Sequence, residues 1–208
     1  MPVTFEYCSL HYLNQWLKHD MDLFTGISSN NKTERIDFLK KATSYYKISR
    51  NLQTQYDVDI GFQRYEPLLK VLDSIDTSYF PVNSVDVVKE IRKIESKISN
   101  KYGGKGVLSL TTKLLWLKIQ SPILIYDSQA RIALNTPDGA LSDFYDAWHQ
   151  EFAKYKTDIN EACANLVKVR QYSINPNLAT ESKVKHWASQ KWFKERVFDM
   201  YLWEKGRK

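Results

Sequence analysis

Apolar residues recur at intervals of three and four along most of the chain, the spacing that places side chains on one face of an α-helix. A sustained alternation of apolar and polar residues, which is typical of strands, is almost absent. The pattern predicts an all-α fold of roughly eight to ten helices. The clearest stripes occupy residues 5–17, 36–46, 68–75, 85–98 and 141–155.

Residues that favour turns separate these stripes. Pro81 and Asn83 mark a boundary, and Ser84 is a suitable N-cap for the helix that follows. We therefore expect either a single domain over residues 1–208 or two lobes at residues 1–80 and 81–208.

Three further positions bear on where helices begin and end. Asp158 is predicted to cap a new helix after the aromatic stripe of residues 141–155, and Gly206 is predicted to stop the last helix. The segment Tyr56–Gly61 remains ambiguous from the sequence alone.

The most informative stretch runs from Leu108 to Leu134. It predicts an apolar helix over Leu108–Gln120, a turn at Ser121-Pro122, a short extended apolar segment, and a second helix that Asp127 caps. One lysine, Lys113, lies within the apolar helix.

Lys113 and Asp127 stand in unusually apolar surroundings for charged residues, which are rarely buried unless they are paired. One interpretation is a shared, partly dry site in which Lys113 acts as an amine nucleophile and Asp127 as a charged partner. The alternative is structural: Asp127 caps its helix, and Lys113 is an ion-pair partner or a surface residue.

Composition excludes several classes of protein. No apolar run approaches the length that spans a bilayer, and the first residues, MPVTFEYC, do not resemble a secretory signal, so we expect a cytoplasmic protein without a membrane partner. The two cysteines, Cys8 and Cys163, are too few for a disulfide framework and are expected to be buried. The four histidines show no spacing typical of a metal site, and no cofactor is implied.

The net charge of +6 becomes informative once it is located. Eight basic and two acidic residues lie between Lys89 and Lys118, so the whole excess lies in this segment. Such a concentration suits a polyanion such as DNA, although most lysine-rich helix faces are simply solvated. The loop Gly103–Gly106 is either a flexible basic loop near a phosphate backbone or a plain turn.

Two sequence segments resemble the helix-hairpin-helix DNA glycosylase superfamily, in particular its 8-oxoguanine-glycosylase-like branch. They are TTK at residues 111–113 and IYDSQAR at residues 125–131, joined by an apolar helix and a proline-containing turn. With RVFDMYLW at residues 196–203, the chain resembles more closely a bacterial group of small glycosylase-like proteins, which includes the Brig-type anti-phage glycosylases. Those enzymes remove glucosylated hydroxymethylcytosine from phage DNA.

The resemblance implies a helix-hairpin-helix bundle with the site between two lobes, and a monomer that acts on modified phage DNA. Lys113 and Asp127 match the catalytic positions, and Gln129 matches a position that contacts phosphate. The hairpin glycines of the superfamily are replaced by Leu108-Ser109-Leu110-Thr111. The hydroxyls of Ser109, Thr111 and Thr112 are therefore expected to contact phosphate instead.

The remaining site residues follow from the same interpretation. Trp116 and Tyr126 flank the two catalytic candidates and are expected to stack on an extruded base, although each is also a suitable core residue. Lys97, Lys101 and Lys105 are expected to contact the DNA backbone.

Two other functions remain open. One is a non-enzymatic nucleic-acid-binding or defence protein in which Lys113 and Asp127 are structural. The other is an enzyme in which Lys113 forms a Schiff base with a small carbonyl substrate, and the basic segment argues against it.

Overall fold

The structure is a computed structural model that describes residues 3–52 and 64–207, and the segment Tyr56–Gly61 lies outside them. The described residues are helical, with no strand among them, which confirms the predicted all-α bundle. The α-helices are α1 (Phe5–Gln15), α2 (Met21–Ile27), α3 (Lys32–Tyr45), α4 (Glu66–Asp73), α5 (Ser84–Lys101), α6 (Leu108–Ile119), α7 (Ser128–Ala133), α8 (Leu141–Val169), α9 (Glu181–Ser189) and α10 (Lys191–Gly206). A π-helical turn, Trp16–Asp20, joins α1 to α2.

The chain forms two compact units. Residues 1–22 and 126–208 make the terminal unit, and residues 23–125 make the central unit. Residue 80, where the sequence suggested a boundary between lobes, lies inside the central unit. The chain passes from one unit to the other between Ile125 and Tyr126, so Lys113 belongs to the central unit and Asp127 to the terminal unit.

Polar side chains fix the beginnings of several helices. Asp127 caps α7 as predicted, and the residue that caps α5 is Asn83 and not Ser84. The Asn83 side chain accepts the Asp86 N–H at 3.0 Å, which satisfies an amide at the start of the helix that has no partner within it.

Asp158 does not begin a helix. It lies exposed in the middle of α8, which continues without a break from Leu141 to Val169. The apolar stripe crosses this point at helical spacing from Tyr155 to Ile159 and Ala162, with no glycine or proline between them. A capping residue type does not interrupt a helix when the buried face continues past it.

The core of the terminal unit is built around α10, which contacts α1, α7, α8 and α9. Aromatic side chains dominate this core. The Trp148 ring stacks on Phe152 at 4.8 Å and meets Phe198 edge-on at 5.0 Å. Because α10 is surrounded, it buries charged as well as apolar residues: Glu195, Arg196 and Asp199 are at most 7% exposed.

In the central unit, consecutive helices pack against one another, α3 on α4, α4 on α5 and α5 on α6. On α6 every residue from 110 to 117 is buried, which agrees with its predicted apolar character. The buried face of α5 consists of Val87, Ile91, Ile94 and Ile98.

Both cysteines are buried, as the sequence predicts. Burial raises the pKa of the Cys8 and Cys163 thiols to about 12, so both are neutral near pH 7. Across residues 3–52 and 64–207, none of the helices combines the length and apolarity needed to cross a membrane.

The last helix, α10, ends at Gly206, as predicted, and the backbone of α7 lies directly against this residue. A Cβ atom placed on Gly206 would lie 2.0 Å from the carbonyl oxygen of Gln129 and 2.7 Å from its carbonyl carbon. Glycine is therefore required here by the close approach of two backbones, and this contact seats α7 on α10.

We expect Gly206→Ala to lower the free energy of unfolding by about 2 kcal/mol or more, because the added methyl group collides with backbone atoms that have no rotamer to change. Denaturation in urea measures the effect. Gly106→Ala is the matched control, since no atom lies within 4 Å of a Cβ placed there. Equal stability of the two variants would show that α7 does not pack as described.

Candidate functional site

Lys113 lies on the buried helix α6 and is only 8% exposed. Its Nζ is 5.9 Å from the centre of the Tyr46 ring, near the outer limit of a cation–π contact. The neighbouring Leu114 and Leu117 have no exposed surface. Lys113 therefore has the apolar surroundings that the sequence predicts, and it is not a surface residue.

The start of α6 is closed by an acidic side chain. The Val107 N–H donates to Glu95 Oε1 at 3.2 Å, and Glu95 is also paired with Arg92 at 2.8 Å. A carboxylate thus stands at an amide where an anion binds readily at a helix N-terminus.

The threonines at the start of α6 are directed inward. Thr111 and Thr112 have no exposed surface, and their hydroxyls donate to the carbonyl oxygens of Val107 at 3.0 Å and Ser109 at 3.3 Å. Both hydroxyls stabilise the helix from within, whereas Ser109 itself is half-buried. Of the three hydroxyl residues predicted to contact DNA, only Ser109 reaches the surface in this structure.

The basic segment contains two different groups of residues. Lys89, Arg92 and Lys93 form ion pairs with Asp86, Glu95 and Glu90 of the same helix. Lys97, Lys101 and Lys105 are exposed, and Lys97 and Lys101 form no ion pair with the described residues. Within this segment, the exposed lysines without an ion pair to the described residues therefore lie at the end of α5.

The loop after α5 folds back onto the helix. Gly103 and Gly104 have φ angles of 81° and 78°, in the left-handed region that glycine adopts without strain. The Gly104 N–H donates to the Ser99 carbonyl at 2.9 Å, and the Ser99 hydroxyl donates to the Lys105 carbonyl at 2.7 Å. These bonds fix the backbone that carries Lys105, so the loop is a structured turn.

Asp127 is half-buried at the N-terminus of α7. Its Oδ1 accepts the N–H of Gln129 at 2.9 Å, which orients the carboxylate and satisfies an amide of the first helical turn. Gln129, predicted to contact phosphate, contacts two neighbouring residues through its backbone. Its N–H donates to Asp127, and its carbonyl lies against Gly206.

The two aromatic candidates for base stacking differ in exposure. Trp116 is 1% exposed and forms part of the core, so stacking on a base would require its ring to be uncovered. Tyr126 is half-buried, with Phe144 edge-on at 5.2 Å and the Arg131 guanidinium 4.7 Å from its ring centre. Its hydroxyl donates to the Gly139 carbonyl at 2.8 Å.

A second carboxylate, Asp199, belongs to the same unit as Asp127, and sequence reasoning assigned it no role. Asp199 accepts the Trp148 indole N–H at 2.8 Å and pairs with Arg196 at 2.8 Å. Burial is the main cause that raises the pKa of Asp199. The Arg196 guanidinium and the Trp148 indole lower this pKa, and the charge of Asp127 raises it further. The signal in the sequence is an arginine and an aspartate three residues apart in the segment 196–203, whose other residues are all aliphatic or aromatic.

The described residues contain no cluster of three or more histidine, cysteine or acidic side chains arranged to hold a metal ion. No protein-family model matches the chain, no curated protein matches its sequence, and no solved structure matches its fold.

Variants of Asp127 separate its capping role from its charge. We expect the free energy of unfolding of Asp127→Asn to lie within about 0.5 kcal/mol of the wild-type value, because asparagine caps helices as well as aspartate does. Asp127→Ala should lose about 1 kcal/mol, because the Gln129 N–H loses its acceptor. Urea denaturation of the three proteins measures both values. A large loss in Asp127→Asn would mean that the charge itself holds the fold.

Proposed function

We propose that the protein is a DNA glycosylase that extrudes a modified base and hydrolyses its N-glycosidic bond. The observation that carries the proposal is the oriented, half-buried carboxylate of Asp127 at the start of α7. It occupies the position that the resemblance to helix-hairpin-helix glycosylases assigns to the catalytic carboxylate. The exposed lysines at the end of α5 support DNA as the substrate.

The chemistry follows from the charge that the reaction creates. When the bond between C1′ and the base nitrogen breaks, the base keeps the electron pair and positive charge develops on the sugar. A fixed carboxylate stabilises that charge without having to reorient. Asp127 would also direct a water molecule to C1′; the water gives up a proton, the base gains one, and the products are the free base and an abasic site.

Lys113 offers a second route. Its amine would attack C1′ in place of water, and ring opening would give an imine between Nζ and the sugar. That imine permits strand cleavage and can be reduced by borohydride to a stable protein–DNA adduct. The route rests on Lys113, which is 8% exposed on α6 and matches the position that the resemblance assigns to the catalytic lysine.

The substrate class that we propose is hypermodified cytosine in phage DNA, with glucosylated hydroxymethylcytosine as the first candidate. It comes from the resemblance to the Brig-type glycosylases. The protein would then act in anti-phage defence, in the cytoplasm and as a monomer.

A non-enzymatic DNA-binding protein is the second candidate. Two observations favour it: the Asp127 carboxylate serves as a helix cap, and Lys113 is almost fully buried beside Tyr46. In such a protein both residues would serve only to stabilise the fold.

We expect Asp127→Asn to reduce base release by at least about 100-fold, because the carboxylate charge is lost while the helix cap is kept. DNA from phages with differently modified cytosines is the substrate, and mass spectrometry of the released base with an abasic-site assay is the measurement.

Asp158→Asn is the matched control for this experiment, since Asp158 is an exposed aspartate on α8. Full activity of Asp127→Asn would refute the assignment, and a failure of the wild type on every phage DNA would favour the non-enzymatic candidate. Borohydride trapping of wild type and Lys113→Gln then distinguishes attack by the amine from attack by water.

We expect DNA binding to weaken steeply with salt. Replacing Lys97, Lys101 and Lys105 together by glutamine should reduce the slope of log K against log salt by about 2 to 3, because each phosphate contact contributes about 0.9. Titration of labelled DNA at several salt concentrations measures the slope.

The matched control for the salt experiment replaces three exposed lysines of the terminal unit by glutamine, namely Lys154, Lys168 and Lys185. It makes the same change in total charge. An equal loss of slope in both triple variants would show that the end of α5 is not the DNA contact.

A further inference from the structure

The terminal unit holds a buried charged network outside the residues of the proposed reaction. Its centre is Asp199 on α10, which is 7% exposed. One carboxylate oxygen accepts the Trp148 indole N–H and the other accepts a hydrogen bond from Arg196, both at 2.8 Å. A carboxylate held from two sides in this way has a fixed position and a fixed direction.

The packing of α7 brings this network towards Asp127. Gly206 touches the backbone of Gln129, two residues after Asp127. Asp199 lies about two helical turns before Gly206, so both residues are on the same face of α10. The face that receives α7 is therefore also the face that carries Asp199.

Titratable groups on three elements lie around Asp199. Burial is the main cause that raises its pKa, Arg196 on its own helix lowers this pKa, and Asp127 at the start of α7 raises it further. The ring centre of Tyr12, on α1, lies 5.3 Å from the Arg196 guanidinium. Burial raises the pKa of Tyr12 well above its usual value, and Asp20 and Asp199 add to that increase, so its phenol stays neutral.

We propose that Asp199 is a positioning residue for Asp127: its fixed negative charge strengthens the negative potential in which the sugar cation forms. This inference rests on the proposed function. Asp199 touches neither the sugar nor the base in this role. It acts through the field at Asp127, and Arg196 and Trp148 keep it in place.

The coupling between the two carboxylates can be measured without any activity. The indole N–H of Trp148 donates to Asp199, so its ¹H–¹⁵N NMR signal should titrate with the protonation of Asp199. Loss of the signal in Trp148→Phe identifies it. In Asp127→Asn the midpoint should move to lower pH, because the charge of Asp127 is one of the causes that raise the pKa of Asp199. An unchanged midpoint would overturn the proposal.

The effect on catalysis provides the second test. Asp199→Asn should lower kcat by about tenfold with little change in KM, and the acid limb of its rate profile should move to lower pH, because the group with the raised pKa is gone. Asp158→Asn should leave both unchanged. Wild-type rate and pH profile in Asp199→Asn would overturn the proposal.

The two tests separate this proposal from the proposed function. If the wild type releases no base, the glycosylase function fails, and the catalytic role of Asp199 fails with it. If the wild type releases base and Asp199→Asn matches it, only the role of Asp199 fails. Should Asp199→Asn not fold, the NMR titration of Asp127→Asn still decides whether the two carboxylates are coupled.

Discussion

The terminal unit depends on keeping the buried ion pair between Arg196 and Asp199 intact. Taking two charges out of water is costly, and removing one partner of such a pair typically costs about 3 to 5 kcal/mol because the other charge is left buried. The pair lies on α10, the helix that contacts α1, α7, α8 and α9. The same helix therefore carries both the core and the polar network next to the candidate carboxylate.

Local sequence predicted the helices well, because apolar spacing and capping residues act over a few positions. The cap at Asp127 is confirmed, and α6 is buried as expected. The prediction of a new helix at Asp158 was wrong, because the apolar stripe of α8 continues past this capping residue type. Sequence patterns indicate where a helix can begin, and the buried face decides whether it does.

The candidate site was harder to predict from the sequence than the helices were. The resemblance pointed to Lys113 and Asp127, but no spacing shows that Thr111 and Thr112 turn their hydroxyls into their own helix or that Trp116 is part of the core. The role of Gly206 depends on another helix passing within contact distance, which is a property of the folded chain alone. Such tertiary contacts leave no periodic signal.

The bond between the Val107 amide and Glu95 has a consequence for how α6 can meet an anion. The carboxylate is an internal substitute for the phosphate that such a helix start would otherwise attract. Any phosphate that approaches this amide must first displace Glu95 and then tolerate a second negative charge close by. Glu95 therefore opposes the binding of small anions at the start of α6. The exposed lysines at the end of α5 are easier for an anion to reach.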